Sequence, residues 1–408
     1  MVSTGAPSST KRVLILVDSL ATGGHTSSLL SLLERWSATP GCPEIDVVTL
    51  SEAGAAASLV PPTVRVGPAR WRWSHLRYGR VLRGLVTGNL MLSLVIRLRR
   101  RWGTGEMGLE SVMRLSQRFA QRQVRALEPL PGRYDVAIAW SEGTALYALV
   151  DKVRATTKLA WIHPDYRQAR YDPGLDEPYL AQLDAVVAVS GAGRDSLTAA
   201  FPHLGATVWV VRNLVDSHAV IELSRAGLAE DSVHFDTPLP TLLTVCRLHD
   251  QSKALYRAIE LCAALKEAGS PVRWIVVGDG PDRAGLAEAV RAADLVEEFR
   301  LIGARSNPYP HMAAADLFVL QSYYEGMPVA VDEALAVGGP VLVTDYAAAR
   351  EQVTDGVDGW VVPNDFDSLF ARLAQVAADP DILTAVRGTR APDLPRTDDL
   401  ERLWEVVR

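Results

Sequence analysis

The sequence predicts an α/β protein of two doubly wound, parallel-sheet domains that face each other across a central cleft. Three observations predict it. The chain has 408 residues, which is too long for one ordinary domain. Short runs of Val, Ile and Leu alternate with amphipathic stretches, as parallel strands buried on both faces require. The alternation restarts after residue 215, so two βα series follow one another.

Ten candidate strands define the two series. They lie at residues 13–17, 45–50, 136–140, 158–162, 185–189, 208–211, 242–245, 274–277, 317–320 and 341–344. We predict an N-terminal domain at 1–215 and a C-terminal domain at 216–390, with a plausible linker within 217–240. The tail at 391–408 is expected to pack back on the N-terminal domain.

Composition excludes several classes of protein. With 48% hydrophobic and 22% charged residues, the chain has enough apolar surface for two cores. Residues 1–10 lack an apolar segment and indicate a disordered leader, and the longest apolar stretch outside the strands, 90–96, is too short for a membrane span. The widely spaced Cys42, Cys246 and Cys262 fit neither a disulfide framework nor a zinc site, which indicates a reducing compartment such as the cytoplasm.

The net charge of −6 hides a basic N-terminal half and an acidic C-terminal half. Ten Arg residues lie in an insertion predicted at 65–102, and no acidic residue occurs between Glu52 and Glu106. Interleaved Trp and Arg residues favour peripheral attachment to an anionic membrane surface, here the inner face of the membrane. The alternative is a solvated helical insertion packed on its own domain. Nucleic acid is a poor explanation, because no recognition motif accompanies the charge.

The strongest local signal is a loop that leads into a helix predicted over 328–337. Gly326 permits a tight backbone path, and Pro328 suits the first turn of a helix. The N–H groups at the helix start and the helix dipole form an anion site suited to a diphosphate. Glu325 and Glu333 can bracket a ligand, one toward a sugar hydroxyl and the other toward a ribose diol. The alternative is an ordinary capped helix with two exposed acids.

Two cations follow a neighbouring strand. Arg247 and Lys253 lie on the loop after the strand predicted at 242–245, where they can neutralise a diphosphate at the ligand-binding edge of the sheet. Gly278 lies in an Asp-Gly turn after the strand predicted at 274–277. That turn is a weaker sign, because Asp-Gly turns are common.

The first half of the chain offers two further candidates. Gly23 and Gly24 follow the first strand and lead into a helix, so they permit close approach to an anion. They match neither a Walker A loop nor the three-glycine dinucleotide fingerprint, which argues against a dehydrogenase. His163 follows the strand predicted at 158–162, although a lone histidine more often has a structural role. No Asp-x-Asp pair or His/Cys cluster lies at a strand end, so no metal site is predicted.

Taken in order, these elements resemble the group 1 (GT4) family of retaining glycosyltransferases, which have the GT-B fold of two Rossmann-like domains. The resemblance covers nearly the whole chain, and its most specific parts are Arg247 with Lys253 and the Glu325-x7-Glu333 pair. Its other motifs lie at 189–190, 213–216, 277–281, 301–303, 315–319 and 355–362. The segment 323–328 is most similar to bacterial polysaccharide and cell-envelope members.

The resemblance implies a role for each candidate. Glu325 and His163 would contact the reacting donor sugar as catalytic residues, and Glu333 would bind the ribose hydroxyls. The loop after Gly303 would receive the base, while Arg247 and Lys253 would hold the diphosphate. The donor-binding set implied in this way is Gly23, Gly24, Arg247, Lys253, Gly278, Gly303, Gly326, Met327, Pro328, Val329 and Glu333.

The resemblance also implies the reaction. A hexose would move from a nucleoside diphosphate sugar, as co-substrate, to a glycan or lipid-linked acceptor, with retention and without a metal or other cofactor. The leaving diphosphate would take the acceptor proton, so the protein would position substrates and stabilise charge. Two alternatives stay open, a soluble small-molecule acceptor and a non-catalytic GT-B partner protein. Two departures from the family pattern are Ala254, where Gly commonly follows the lysine, and Met327-Pro328 in place of Phe-Gly.

Overall fold

The computed structural model describes residues 10–21, 23–51, 54–68, 109–228, 238–386 and 398–408. Its strands are β1 Arg12–Val17, β2 Glu44–Thr49, β3 Arg65–Pro68, β4 Tyr134–Ala139, β5 Ala155–Ile162, β6 Ala185–Ala188, β7 Val208–Val210, β8 Thr241–Val245, β9 Arg273–Val277, β10 Phe299–Gly303, β11 Leu317–Leu320, β12 Val341–Thr344 and β13 Gly359–Val362. Its helices, numbered along the described chain, are α1 Gly24–Ala38, α2 Leu109–Arg125, α3 Thr144–Lys152, α4 Pro173–Leu180, α5 Gly191–Ala200, α6 Ser217–Ser224, α7 Asp250–Lys253, α8 Leu255–Glu267, α9 Arg283–Ala292, α10 Tyr309–Ala314, α11 Val329–Ala336, α12 Ala349–Gln352, α13 Phe366–Ala378 and α14 Asp398–Val407.

The chain divides into two compact units. Unit 1 takes in the described parts of residues 1–22, 32–212 and 397–408, and unit 2 takes in those of 23–31 and 213–396. The division after Arg212 lies close to the boundary predicted after residue 215. The glycine-rich start of α1 therefore groups with unit 2, and the C-terminal helix α14 groups with unit 1.

Unit 1 contains a seven-stranded sheet in the order β3-β2-β1-β4-β5-β6-β7, in which every pair is parallel. Strand β1 is buried at every position after Arg12, because its aliphatic residues are covered on both faces of the sheet. The core includes Leu14, Ala137 and Tyr147, all at 0% exposure. The sheet therefore holds the chain after each strand in a fixed place.

Strand β3 forms the edge of this sheet beside β2. Its first residue, Arg65, forms ion pairs with Glu44 at 2.9 Å and Asp46 at 2.6 Å. The Arg-rich insertion predicted from residue 65 thus begins with residues of an edge strand. Its remaining part, 69–102, lies outside the described residues.

Helix α14 is held in unit 1 by contacts with distant parts of the chain. The Asp399 carboxylate accepts a hydrogen bond of 2.7 Å from the backbone N–H of Val210. The ring centroids of Trp36 and Trp404 lie 6.1 Å apart. These contacts join the end of the chain to helix α1 and strand β7.

Unit 2 contains a six-stranded parallel sheet in the order β10-β9-β8-β11-β12-β13. Its core includes the fully buried Leu242, Trp274 and Val319. The indole N–H of Trp274 donates a hydrogen bond of 3.0 Å to the hydroxyl of Thr244. This bond satisfies a polar group that would otherwise be buried at a cost.

The predicted α/β fold with two parallel sheets is confirmed. All ten predicted strands are present, and β3, β10 and β13 are additional. In each sheet the carboxyl ends of the strands meet along one edge, which is where open α/β sheets bind ligands. No helix among the described residues is long and apolar enough to cross a membrane.

Candidate functional site

Lys253 ends the single-turn helix α7, which follows strand β8. The chain then turns through Ala254, which is left-handed with φ 51° and ψ 45°, before α8 begins. This conformation costs a non-glycine residue about 1–2 kcal/mol, which explains in physical terms why glycine suits the position. A backbone hydrogen bond of 2.8 Å from Tyr323 to the carbonyl of Ser252 ties this turn to the loop after β11.

The ammonium group of Lys253 forms an ion pair with Oε1 of Glu325, and the two side chains are 18% and 12% exposed. The hydroxyl of Ser322 donates to the same Oε1 at 2.6 Å. Burial lowers the pKa of Lys253, but the charge and hydrogen bond of Glu325, together with Cys246 and Tyr324, outweigh this effect, so the pKa is raised and the lysine stays charged. Oε2 of Glu325 has no hydrogen-bond partner among the described residues, which leaves it able to accept from a hydroxyl.

Arg257 fixes the loop after β11. Its guanidinium donates to the carbonyl of Gln321 and, at 2.8 Å, to Oδ1 of Asn364, and it lies 4.7 Å from the ring centroid of Tyr323. The amide of Asn364 donates in turn to the carbonyls of Ser322 and Tyr323, at 3.2 and 2.8 Å. The loop backbone is therefore held by side chains from two other elements, which limits its freedom before any ligand binds.

Two glycines allow the loop after β9 to lie against the loop after β8. Gly278 has φ 150°, and a Cβ atom added there would lie 1.8 Å from the carbonyl oxygen of Cys246. A Cβ atom added at Gly280 would lie 2.3 Å from the carbonyl oxygen of Leu248. Backbone hydrogen bonds of 3.0 Å from the N–H groups of Cys246 and Leu248 join the two loops. Any side chain at either glycine would separate them.

Arg247 lies between these close approaches, directly after β8, with an exposed side chain. It forms no ion pair with any other described residue, so its charge is available to an anion. Gly303 ends β10 with φ 82°, a conformation that favours glycine. Its carbonyl accepts a hydrogen bond of 3.0 Å from the N–H of Gly278, which joins the third strand-end loop to the other two.

Helix α11 begins at Val329, with Pro328 as its N-cap residue. Gly24 lies against this start, since a Cβ atom added to it would be 3.3 Å from Cβ of Val329. The amide of Asn213 donates a hydrogen bond of 2.8 Å to the carbonyl of Met327. Residues 23–31 and 213 both group with unit 2. The helix start is thus placed by distant parts of the chain, and helix starts favour anions.

Glu333 lies inside α11 and is 7% exposed. The hydroxyl of Tyr309 donates to its Oε1 at 3.0 Å. Burial raises the pKa of Glu333 to about 7; the hydrogen bond from Tyr309 lowers it, and the neighbouring Asp332 raises it. Neither Glu333 nor Glu325 is a surface acid, so the alternative of a capped helix with two exposed acids is wrong.

In unit 1, His163 follows β5 and is 3% exposed. Its Nε2 lies 2.8 Å from the carbonyl oxygen of Trp140 and must carry the proton, because a carbonyl only accepts. Its backbone N–H donates to Glu142 at 3.3 Å.

Asp18 lies just after strand β1 in the same unit. Desolvation by the surrounding protein raises the pKa of Asp18 to about 6, with a further rise from Glu142 and an opposing hydrogen bond from Ser141. The Asp18 side chain nevertheless keeps a solvent-exposed face.

The structure thus brings Lys253 and Glu325 into direct contact, whereas His163 lies in unit 1. Of the other predicted residues, Gly326 and Met327 are buried, and Gly23 has φ 157°, with open space where its side chain would be.

Sequence reasoning missed six residues that build these sites, Asp18, Glu142, Arg257, Tyr309, Ser322 and Asn364. The carboxylates of Asp18 and Glu142 carried one usable signal, their position just after β1 and β4. The described residues contain no group of three or more His, Cys, Asp or Glu side chains that could hold a metal ion.

A model of the family described as Glycosyl transferases group 1 matches residues 239–379. The match includes all six strands of the second sheet, together with Lys253, Glu325 and Glu333. We refer to this matched segment as the group 1 domain. The described parts of unit 1 lie outside the matched range.

Bacterial glycosyltransferases are similar to part of the chain. The amylovoran biosynthesis glycosyltransferase AmsK of Erwinia amylovora is 32% identical over 160 residues, which cover 37% of this chain and 39% of AmsK. The putative colanic acid biosynthesis glycosyltransferase WcaL of Salmonella typhimurium is 36% identical over 157 residues, which cover 36% of this chain and 38% of WcaL. The chain therefore matches less than half of the length of these relatives.

Solved structures resemble the chain over both units. Anabaena HepE superposes with a TM-score of 0.64 at 17% identity, covering 93% of each chain. TarM of S. aureus superposes with a TM-score of 0.66 at 12% identity, covering 98% of this chain and 100% of TarM. The group 1 domain is thus one half of a GT-B fold, as predicted.

Proposed function

We propose that the protein is a glycosyltransferase that moves a hexose from a nucleoside diphosphate sugar to a glycan or lipid-linked acceptor, with retention, in the assembly of a cell-envelope polysaccharide. The observation that carries this proposal is the largely buried pair of Lys253 and Glu325, just ahead of the start of α11 in the group 1 domain. A buried pair held by a third group, Ser322, is costly to maintain for stability alone. Its cost is understandable at a site that binds a charged, hydroxyl-bearing ligand.

The distribution of charge supports binding of the donor by unit 2. The diphosphate carries negative charge that grows as the bond to the sugar breaks. Arg247, Lys253 and the N-terminus of α11 supply positive charge and dipole for it, which is the main way a site lowers such a barrier. Oε2 of Glu325 accepts from a hydroxyl of the sugar, and Oε2 of Glu333 accepts from the ribose. The crystals of HepE that contain UDP-glucose support a nucleotide sugar as the donor class.

The proposal includes retention of the anomeric configuration because the chain resembles a family of retaining glycosyltransferases. The leaving diphosphate takes the proton of the acceptor hydroxyl, and His163 contacts the reacting sugar. Hydrolysis of the donor in water tests the stereochemistry without knowledge of the acceptor. Proton NMR of the first sugar released should show the anomeric configuration of the donor, and the opposite anomer would overturn retention.

A donor screen tests the activity itself. The purified full chain is incubated with sugars activated by UDP, GDP, ADP and TDP, and release of the nucleoside diphosphate is followed. We expect release from one donor class, reduced at least about 100-fold in Glu325→Gln, because the variant loses the carboxylate that positions the sugar and Lys253. Wild-type protein that binds the nucleotide but releases nothing, with or without glycan acceptors, would indicate the non-catalytic GT-B alternative.

The acceptor and the location are assigned from the Arg-rich segment, most of which lies outside the described residues. We propose a lipid-linked acceptor and a cytoplasmic protein attached at the inner face of the membrane; the three free cysteines fit a reducing compartment. Vesicles with and without anionic lipid are sedimented with the wild type and with a variant in which Arg97, Arg99, Arg100 and Arg101 are Ala. Binding to anionic vesicles should depend on these arginines. Absence of wild-type binding would favour the soluble acceptor.

A further inference from the structure

The two oxygens of Glu333 have different surroundings. Oε1 accepts a hydrogen bond of 3.0 Å from the hydroxyl of Tyr309. Oε2 has no hydrogen-bond partner among the described residues, although the side chain is only 7% exposed. Oε2 is not among the fully buried atoms that lack a partner, so donors of a ligand can reach it. The orientation of this carboxylate therefore depends on a single side chain, that of Tyr309.

Tyr309 is itself held by its backbone. It is the first residue of α10, and its backbone N–H donates to Oδ1 of Asn307 at 3.2 Å. The side chain of Ser27 lies close to its hydroxyl. The hydroxyl carries a single proton, which it donates to the carboxylate of Glu333.

Ser27 connects this arrangement to the glycine-rich start of α1. That start packs at Gly24 against Val329, the first residue of α11. The segment 23–31 groups with unit 2, as do Tyr309 and Glu333. The same segment therefore lies beside both features, with Gly24 against the start of α11 and Ser27 beside the tyrosine that bonds to Glu333.

We propose that Tyr309 is a positioning residue for the donor, which fixes Oε1 of Glu333 so that Oε2 is directed at the vicinal diol of the nucleotide ribose. The inference rests on the proposed function, since it assumes that a nucleoside diphosphate binds here. Tyr309 does not touch the reacting atoms. Its effect is on the affinity for the ribose and not on the rate of the chemical step.

The test compares two nucleotides on two proteins. By titration calorimetry, the wild type is offered UDP, GDP and ADP, and the tightest of these is compared with its 2′,3′-dideoxy counterpart. In Tyr309→Phe we expect the Kd of the ribonucleotide to rise about tenfold, as loss of a hydrogen bond to a charged group implies. The Kd of the dideoxy nucleotide should change less than about twofold, because this nucleotide lacks the diol that donates to Glu333.

The matched control is Tyr166→Phe, which removes a buried tyrosine hydroxyl that donates at 2.7 Å to Asp176 in unit 1. It should lower thermal stability without changing either Kd. Equal weakening of both nucleotides by Tyr309→Phe would show a merely structural role and overturn the proposal, as would no weakening of either. Failure of the wild type to bind any of the three nucleoside diphosphates would instead overturn the proposed function.

Discussion

The carboxyl ends of the two sheets use polar side chains differently. In unit 2 the two predicted acids are paired with other side chains, Glu325 with Lys253 and Glu333 with Tyr309. Each of these glutamates keeps one oxygen without a partner among the described residues. The pairs are therefore half-satisfied, and a ligand with hydroxyl groups would complete them.

In unit 1 the bonds that hold the candidate His163 involve backbone groups instead. The ring of His163 bonds to the carbonyl of Trp140, and Glu142 accepts from the N–H of His163. The side chains there hold their own loops in place. Under the proposed function, we therefore expect the affinity for the donor to depend on the side-chain pairs of unit 2.

The largest effect is expected from a substitution that breaks the side-chain pairing in unit 2. Lys253→Ala leaves Glu325 as a largely buried acid without its counter-charge and removes a cation from the diphosphate. We expect donor turnover to fall at least about 100-fold, since such groups contribute several kcal/mol to charge stabilisation. The rate of nucleoside diphosphate release measures this.

The matched control is Lys266→Ala, which removes the ion pair of Lys266 and Glu298 at 2.9 Å, also in unit 2. Lys266 is 40% exposed, so its loss should change turnover less than about twofold. Similar losses in the two variants would mean that Lys253 matters only for folding, and the comparison between the units would then lose its basis.

The next effect separates rate from affinity. If His163 contacts the reacting sugar from unit 1, His163→Ala should lower kcat for donor hydrolysis by about 10- to 100-fold. The Kd of the nucleoside diphosphate should stay within about twofold, because the contacts proposed for it are in unit 2. His163→Gln keeps a donor for the Trp140 carbonyl and controls for loop stability. A rise in Kd without a fall in kcat would contradict this division of roles.

A smaller effect is expected from pH. Burial raises the pKa of Glu333 to about 7; the hydrogen bond from Tyr309 opposes this shift, and the charge of Asp332 reinforces it. The acid therefore loses its charge just below neutrality. A protonated carboxyl accepts poorly from a diol. The Kd of the nucleoside diphosphate should therefore rise about fivefold to tenfold between pH 8 and pH 6. In Glu333→Gln the affinity should be low at both pH values.

Stability should move in the opposite sense. A carboxyl whose folded-state pKa is raised from 4.5 to about 7 favours folding when protonated, and this contribution is lost as pH rises through 7. The loss is on the order of 3 kcal/mol. Glu333→Gln should therefore raise the unfolding temperature at pH 8 and change it little at pH 5. Equal changes at both pH values would show that ionisation of Glu333 is not the cause.

The sequence allowed more to be predicted where the signal is local. Runs such as β1 are aliphatic throughout because both faces are buried, and Glu325 and Glu333 lie in one segment with their helix start. The edge strand β3 contains Gly67 and Pro68, which are poor strand formers. Gly359 begins β13, where a Cβ atom would lie 2.2 Å from the carbonyl of Val341. These strands therefore lack the usual pattern.

The supporting side chains could not be predicted for a different reason. Arg257, Tyr309 and Asn364 reach their partners across 107 residues or fewer of intervening chain, with no spacing that identifies them. A half-buried tyrosine or a helical arginine is most often ordinary packing. Only the folded sheet, which brings the ends of β10, β11 and β13 to one edge, shows which of them support the predicted acids.

The smallest effect is expected at the turn after Lys253, whose backbone path places this lysine against Glu325. Ala254→Gly removes the strain of the left-handed conformation, about 1–2 kcal/mol, but also a buried methyl group worth about 0.8 kcal/mol. Added flexibility of the unfolded chain offsets the remainder, so the free energy of unfolding should stay within about 1 kcal/mol of the wild type. Ala264→Gly, inside helix α8, should lose about 1 kcal/mol, because no strain is relieved there. Denaturant unfolding compares the two. If Ala254→Gly were instead the more destabilising, the turn would owe its path to the Ala254 methyl group, and the unusual residue after the lysine would itself be what holds Lys253 against Glu325.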